Sequence, residues 1–286
     1  MIDSGKGYGG NMLIDTHTHV HFEAFDKDRP EVIQRAREAG VVALIDPAID
    51  VASARRAVAL AHTYSDYFVA VGVHPNTVAR TWQGAETLNA LRSLATDPVV
   101  VAIGEIGLDY YRDETPPAQQ RAALQAQLAL ATELALPVIL HQRESIDDLL
   151  AILHDWVTDL QAQGHPLAQR PGVLHSFSAG PEEAMRGVEL GFFIGLTGPI
   201  TFKTGDRMRA VARTVPLDRV LIETDAPFMA PHPKRGRRNE PAFVQYIAER
   251  LARERGLPFE LVAAQTTRNA LRLFQINIAA QPPTEP

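Results

Sequence analysis

Short apolar runs, rich in β-branched residues, alternate along this chain with longer stretches in which apolar positions recur every three to four residues. The short runs predict eight strands: 12–15 (MLID), 41–46 (VVALID), 67–73 (YFVAVGV), 99–103 (VVVAI), 137–140 (PVIL), 172–174 (GVL), 192–196 (FFIGL) and 219–223 (RVLIE). Their interiors are almost entirely apolar, the pattern of parallel strands covered on both faces. The longer stretches predict helices. "RPEVIQRAREAG" ends on glycine at a C-cap, and "DVASARRAVALAHTY" starts with an aspartate in N-cap position. "TPPAQQRAALQAQLALATELAL" carries proline near its start, and "SIDDLLAILHDWVTDLQAQG" and "GPEEAMRGVELG" both close on glycine. Two more helices, 240–255 and roughly 259–275, follow the last strand.

Strand alternating with helix predicts an α/β fold, a (β/α)8 TIM-like barrel, as one domain over 12–276. An open doubly wound sheet is the weaker alternative, because no G-x-G-x-x-G turn follows the first strand. Residues 1–11 read as a flexible leader, with Met12 an alternative start, and 277–286 as a disordered tail.

In a barrel, side chains at the C-terminal strand ends line the active site. "LIDTHTHVHF" places His17 and His19 side by side beyond the first strand, since residues two apart share a face. The third strand leads to His74, the fourth to Glu105 and Asp109, the fifth to His141 and Arg143, the sixth to His175, the eighth to Glu223 and Asp225. Six of the ten histidines (17, 19, 21, 74, 141 and 175) fall at such ends. Four imidazoles and two carboxylates exceed the needs of one tetrahedral ion and suit two divalent ions with a shared oxygen ligand. His17, His19, Glu105 and Asp225 are assigned to one ion, and Glu105, His141 and His175 to the other, with Glu105 as the bridge. A polar barrel mouth without metal is the alternative. His21 is expected at the rim or behind the ligands.

Composition narrows the partners. A net charge of −6 excludes attraction of the whole surface to nucleic acid, so any polyanion site is local. The loop "HPKRGRRNEP" supplies such a site, and His74, Arg143, Arg235, Arg237 and Arg238 are the candidate substrate contacts. Arg112 lies near the same mouth. Tyr110, Tyr111, Phe177 and Phe228 are candidates for stacking on unpaired bases. The alternatives are a solvated charge run, or an arginine packed on Glu223 or Glu240. No cysteine is present, which excludes disulfides and thiolate zinc sites. No apolar stretch reaches the roughly 18 residues of a membrane helix, and the N-terminus has no signal-peptide core. A cytoplasmic protein without membrane partners is expected.

The motifs "DTHTH", "GEIGLD", "VILH", "LHSF" and "LIETDAPF", with "RNEP" after them, resemble the TatD family of metal-dependent hydrolases from about residue 12 to about 275. The resemblance implies an amidohydrolase-type barrel and a dinuclear divalent-metal centre of zinc, manganese, nickel or magnesium. It implies His17, His19, Glu105, His141, His175 and Asp225 as ligands. It further implies DNase activity, often 3′-to-5′ exonuclease, although some relatives are linked to removing D-amino acids from tRNA. None of the four lysines, Lys6, Lys27, Lys203 and Lys234, ends strand four, so a carboxylated-lysine bridge is not expected. The expected reaction is phosphodiester hydrolysis by metal-bound hydroxide, with Asp225 as general base beside Glu105. An ester or amide hydrolase acting on D-aminoacyl-tRNA and a non-catalytic nucleic-acid-binding barrel are the alternatives.

Overall fold

A computed structural model describes residues 12–278. The leader over 1–11, and the tail from residue 279, lie outside the described residues. The strands are β1 (Leu13–Asp15), β2 (Val41–Pro47), β3 (Tyr67–Val71), β4 (Val100–Asp109), β5 (Val138–Arg143), β6 (Gly172–Leu174), β7 (Phe193–Leu196) and β8 (Val220–Ile222). They pair in parallel in the order of the chain. The seam between β8 and β1 closes beyond the strand ends. There the N–H groups of Thr16, Asp225 and His19 donate to the carbonyls of Ile222, His17 and Ala226 at 3.3, 2.8 and 2.8 Å. This is the predicted (β/α)8 barrel.

The helices are α1 (Arg29–Glu38), α2 (Val51–Ala61), α3 (Val78–Thr81), α4 (Ala85–Leu94), α5 (Pro117–Leu134), α6 (Ile146–Ala162), α7 (Pro181–Glu189), α8 (Asp206–Thr214), α9 (Val244–Arg255) and α10 (Phe259–Phe274). Asp50 caps α2 as expected, accepting the N–H of Ser53 at 2.7 Å in a reciprocal box. Three helices were not expected: α3, α4 and α8. In α8 a charged residue takes a core-facing place: Arg209 is buried and bonds to the carbonyls of Ile200 and Phe202, which hides the apolar period. In α4 only Thr87 and Leu91 are buried, too few to mark a period. Among the described residues no helix is long and apolar enough to cross a membrane.

Alternation along the strands sorts two cores. Ile14, Ala43, Ile45, Ala70, Ile139 and Phe193 fill the barrel interior, joined by Leu273 and Phe274 at the end of α10. Leu13, Leu44, Val69, Leu140 and Ile194 face outward into the helix layer. The fourth strand runs further than its apolar run, through Glu105 to Asp109, with a register shift between Ile103 and Ile106. Gly107 makes this possible. Its φ is +144°, and a Cβ there would lie 2.0 Å from the carbonyl oxygen of His141.

Candidate metal centre and substrate cleft

The C-terminal strand ends open into a cleft of about 820 Å³, lined by His19, His74, Glu105, His141, His175 and Asp225. His17 lies beneath it, fully buried. Beyond β1 the chain is pinned on both sides, by Thr18 N–H to Ile45 at 3.0 Å and His19 N–H to Ala226. The two rings therefore converge, with Nε2 of His17 3.2 Å from Nε2 of His19. Asp225 reaches them from a left-handed conformation, φ 56°, which aspartate tolerates better than most residues. Asn239 fixes the loop behind it, donating to the carbonyls of Thr224 and Phe228 at 2.8 and 2.6 Å.

Four atoms lie close together across the mouth. The distance from His17 Nε2 to Glu105 Oε2 is 3.4 Å, and that from His19 Nε2 to Asp225 Oδ1 is also 3.4 Å. The distances from His17 Nε2 to Asp225 Oδ1 and from His19 Nε2 to Glu105 Oε2 are both 3.8 Å. Ligands about 2.1 Å from a tetrahedral ion stand about 3.4 Å apart. Two imidazole nitrogens facing one another between carboxylates, mostly beyond hydrogen-bond length, fit a cation and not a hydrogen-bond network.

The other oxygen of Glu105 faces a different group. Oε1 lies 3.0 Å from Nδ1 of His141 and 3.6 Å from Nε2 of His74. Nε2 of His141 meets Asp109 at 3.1 Å. Asp109 is itself held by the Asn76 amide at 2.9 Å and by the N–H groups of Tyr111 and Arg112 at 3.0 Å each. The close trio here is thus His74, Glu105 and His141. His175, expected in this set, stands to one side. Its ring stacks on His17 with centroids 3.2 Å apart, Nδ1 meets Glu223 at 2.8 Å, and Nε2 lies 3.8 Å from Asp225 Oδ1.

Burial is the strongest influence on every titrating group at this mouth. It lowers His17, with the charge of His175 adding to the effect, and it lowers His74 to about 3. At His19 burial is outweighed by the nearby carboxylates of Asp225 and Glu105, which raise the imidazole to about 9. Asp109 and Glu105 likewise raise His141 to about 9. Against burial, the imidazoles of His74 and His17 hold Glu105 well below the usual carboxylate range, and those of His19, His175 and His17 lower Asp225.

The expected substrate contacts divide. His74 and Arg143 line the cleft, and so do Arg112 and Arg207. The Arg143 guanidinium lies 3.8 Å over the ring of Tyr111, which is 56% exposed. None of the three arginines of the basic loop after β8 is among the residues that line the cleft. Arg238 forms a two-pronged pair with Asp28 at 2.8 and 2.6 Å, donates to Ala24 O at 2.7 Å and packs over Phe25. Arg235 lies over Phe202 and donates to Ala230 O. Arg237 is exposed but is not among the cleft residues. Of the aromatic candidates, Phe228 lines the cleft half-exposed, Phe177 lines it but is buried, and the Tyr110 hydroxyl is taken by Asp148 at 2.8 Å. Phe22 and Phe202, passed over in the sequence, also line it. His21 is not at the rim: it is buried, with Nδ1 on Asp46, a carboxylate that also receives the Tyr67 hydroxyl.

Residues 14–275 match the family described as TatD related DNase. The chain is 39% identical over 266 residues to the "uncharacterized metal-dependent hydrolase YabD" of Bacillus subtilis, covering 93% of this chain and 100% of that protein. It is 41% identical over 270 residues to the "3'-5' ssDNA/RNA exonuclease TatD" of Erwinia tasmaniensis, covering 92% of this chain and 100% of that one. The crystal structure of YJJV, a TatD homologue from Escherichia coli k12, superposes with a TM-score of 0.84 at 34% identity, over 93% of this chain and 98% of that chain. With motifs, barrel and converging ligands in agreement along nearly its whole length, the chain belongs to the TatD-related DNase family of metal-dependent hydrolases.

Proposed function

We propose that this protein hydrolyses phosphodiester bonds at the 3′ end of single-stranded DNA or RNA, using two divalent cations. His17, His19, Glu105 and Asp225 hold the first and Glu105 and His141 the second, to which the strand-end pattern also assigns His175, although its ring stands beside His17 and Asp225. The observation that carries this reading is the division of Glu105: Oε2 faces His17 and His19, while Oε1 faces His141. A carboxylate buried between two sets of imidazoles is the bridge a paired site needs. The Erwinia relative, aligned over its entire length, supports the strand-end substrate. A cleft of about 820 Å³ is of a size for small ligands or one chain end, not for a long strand.

Cations bound there supply positive charge to phosphoryl oxygens and acidify water toward neutrality. Mixed imidazole and carboxylate donors suit zinc, manganese or nickel better than magnesium. The protein's own groups do the rest. Asp225, 14% exposed at the edge of the first site, takes the proton of the attacking water. Arg143 and Arg112 meet phosphates further along the strand. Exposed Phe228 offers a face to an unpaired base.

The test is metal content together with cleavage of a 5′-labelled single-stranded oligonucleotide, comparing the wild type with Glu105→Gln. Both readouts should collapse in the variant while circular dichroism stays native. Full turnover by Glu105→Gln would remove the bridge. A metal-loaded wild type that cleaves an aminoacyl ester but no oligonucleotide would overturn the substrate.

A further inference from the structure

His74 lies in the close trio with Glu105 and His141, and distance alone would make it a ligand. Its hydrogen bonds argue otherwise. The backbone N–H of Asn76 donates to His74 Nδ1 at 3.1 Å. An amide nitrogen only donates, so Nδ1 carries the lone pair, and in a neutral imidazole the hydrogen then sits on Nε2.

Three other imidazoles of the mouth have the reverse arrangement, while Nδ1 of His17 meets no hydrogen-bond partner among the described residues. Nδ1 of His19 faces the Pro47 carbonyl at 3.0 Å, and Nδ1 of His175 faces Glu223 at 2.8 Å. Nε2 of His141 faces Asp109 at 3.1 Å. Each can place its hydrogen on that outer acceptor and turn a lone pair inward, as metal-binding histidines do. For His74 to coordinate through Nε2, both nitrogens would have to be deprotonated.

The ring is also fixed in place. The His74 N–H donates to Ile49 O at 3.0 Å, and its carbonyl accepts from Thr77 at 2.9 Å. Its side chain is 13% exposed, on the cleft wall. The 3.6 Å from Nε2 to Glu105 Oε1 is too long for a good hydrogen bond, which leaves the hydrogen available.

We propose that His74 does not bind metal but serves as a fixed Nε2–H donor to an anionic oxygen of the phosphodiester beside the second cation. The donor's substrate rests on the phosphodiesterase reading above; its exclusion from coordination does not. An N–H already aimed where charge gathers needs no rearrangement during the reaction.

The experiment uses the full-length, zinc-loaded protein. Nitrogen-15 NMR of labelled histidines should show His74 protonated at Nε2 and bare at Nδ1. His74→Ala should keep the wild-type metal content, whereas His141→Ala should lose one equivalent. On bis(p-nitrophenyl) phosphate, His74→Ala should lower kcat about 100-fold with little change in KM. His74→Gln, whose amide reaches the Nε2 position, should recover part of the loss. A protonated Nδ1, or loss of metal from His74→Ala, would overturn the exclusion from coordination. An unchanged kcat would overturn the donor role. Absence of any phosphodiester turnover by the wild type would remove the substrate reading, with the NMR and metal arms still deciding whether His74 coordinates.

Discussion

Asp15 clasps Thr224 across the closure of the barrel, accepting its N–H at 2.9 Å and its hydroxyl at 2.5 Å. Asp15 ends the first strand, and Thr224 lies between the last strand and Asp225. The pair fixes the spacing of His17 and His19 against Asp225 without touching any of their ring or carboxylate atoms. Asp15→Ala should leave a buried N–H and hydroxyl without partners and lower unfolding stability by about 2–4 kcal/mol. Asp15→Asn, which keeps an acceptor and the shape, should lose much less. Urea unfolding of the metal-free proteins measures this, and equal stability of the alanine variant and wild type would show that the clasp does not hold the seam.

A glycine supports the setting of His175. A Cβ on Gly195 would lie 2.2 Å from Glu223 Oε2, the oxygen that also meets His175 Nδ1. Glu223 is completely buried and accepts the N–H of Ser176 at 3.0 Å as well. Gly195→Ala should therefore push the carboxylate off His175. Removing such an outer partner typically weakens metal affinity or activity by about 10–100-fold. The expected result is weaker binding of one equivalent in metal titration. Unaltered binding of both equivalents would mean that His175 needs no support from Glu223.

The strands were legible because parallel barrel strands are covered on both faces and read as apolar runs. The candidate metal-binding residues were legible because imidazoles and carboxylates gather at one end of those runs. What stayed hidden depends on partners remote in the chain. Arg238 sits in a run of cations that reads as a phosphate site, but its partner Asp28 is 210 residues away. Asp109 was legible at a strand end, yet its grip on His141 depends on the bulge that carries β4 past its apolar run. His74 and His175 fall at equivalent strand ends in the sequence. Only the direction of their outer hydrogen bonds separates them.

The difference between the cleft arginine and the loop arginine has a measurable side. Arg143→Ala, in the cleft, should raise KM for an oligonucleotide about tenfold, the equivalent of about 1.4 kcal/mol. Arg238→Gln should leave KM unchanged and reduce stability instead. The hydrogen bond from Arg238 holds the Asp28 carboxyl below its ordinary value. A depressed folded-state value contributes stability that is present above the unfolded value near 3.8 and is lost as pH falls through the folded one. Both partners are about one-third exposed, so solvent screening limits the effect to about 1 kcal/mol or less at neutral pH. The gap between Arg238→Gln and wild type should narrow below about pH 4 and in high salt. A raised KM in Arg238→Gln would return this residue to the substrate.

Metal loading should be coupled to protons with a definite sign. In the metal-free protein His19 and His141 are raised to about 9, so both carry a proton at pH 7. Each imidazole must lose that proton to coordinate. Proton and cation compete, so apparent affinity should rise with pH up to about 9 and flatten above it. Calorimetric titration of the metal-free protein at pH 7, in buffers of different ionisation enthalpy, should give heats that differ by about one proton per cation bound. Asp225→Asn removes the negative charge that acts on His19. It should lower proton release at the first site while it also weakens binding there. Heats independent of buffer would mean that both imidazoles are already neutral and that the carboxylates do not hold protons at the empty mouth.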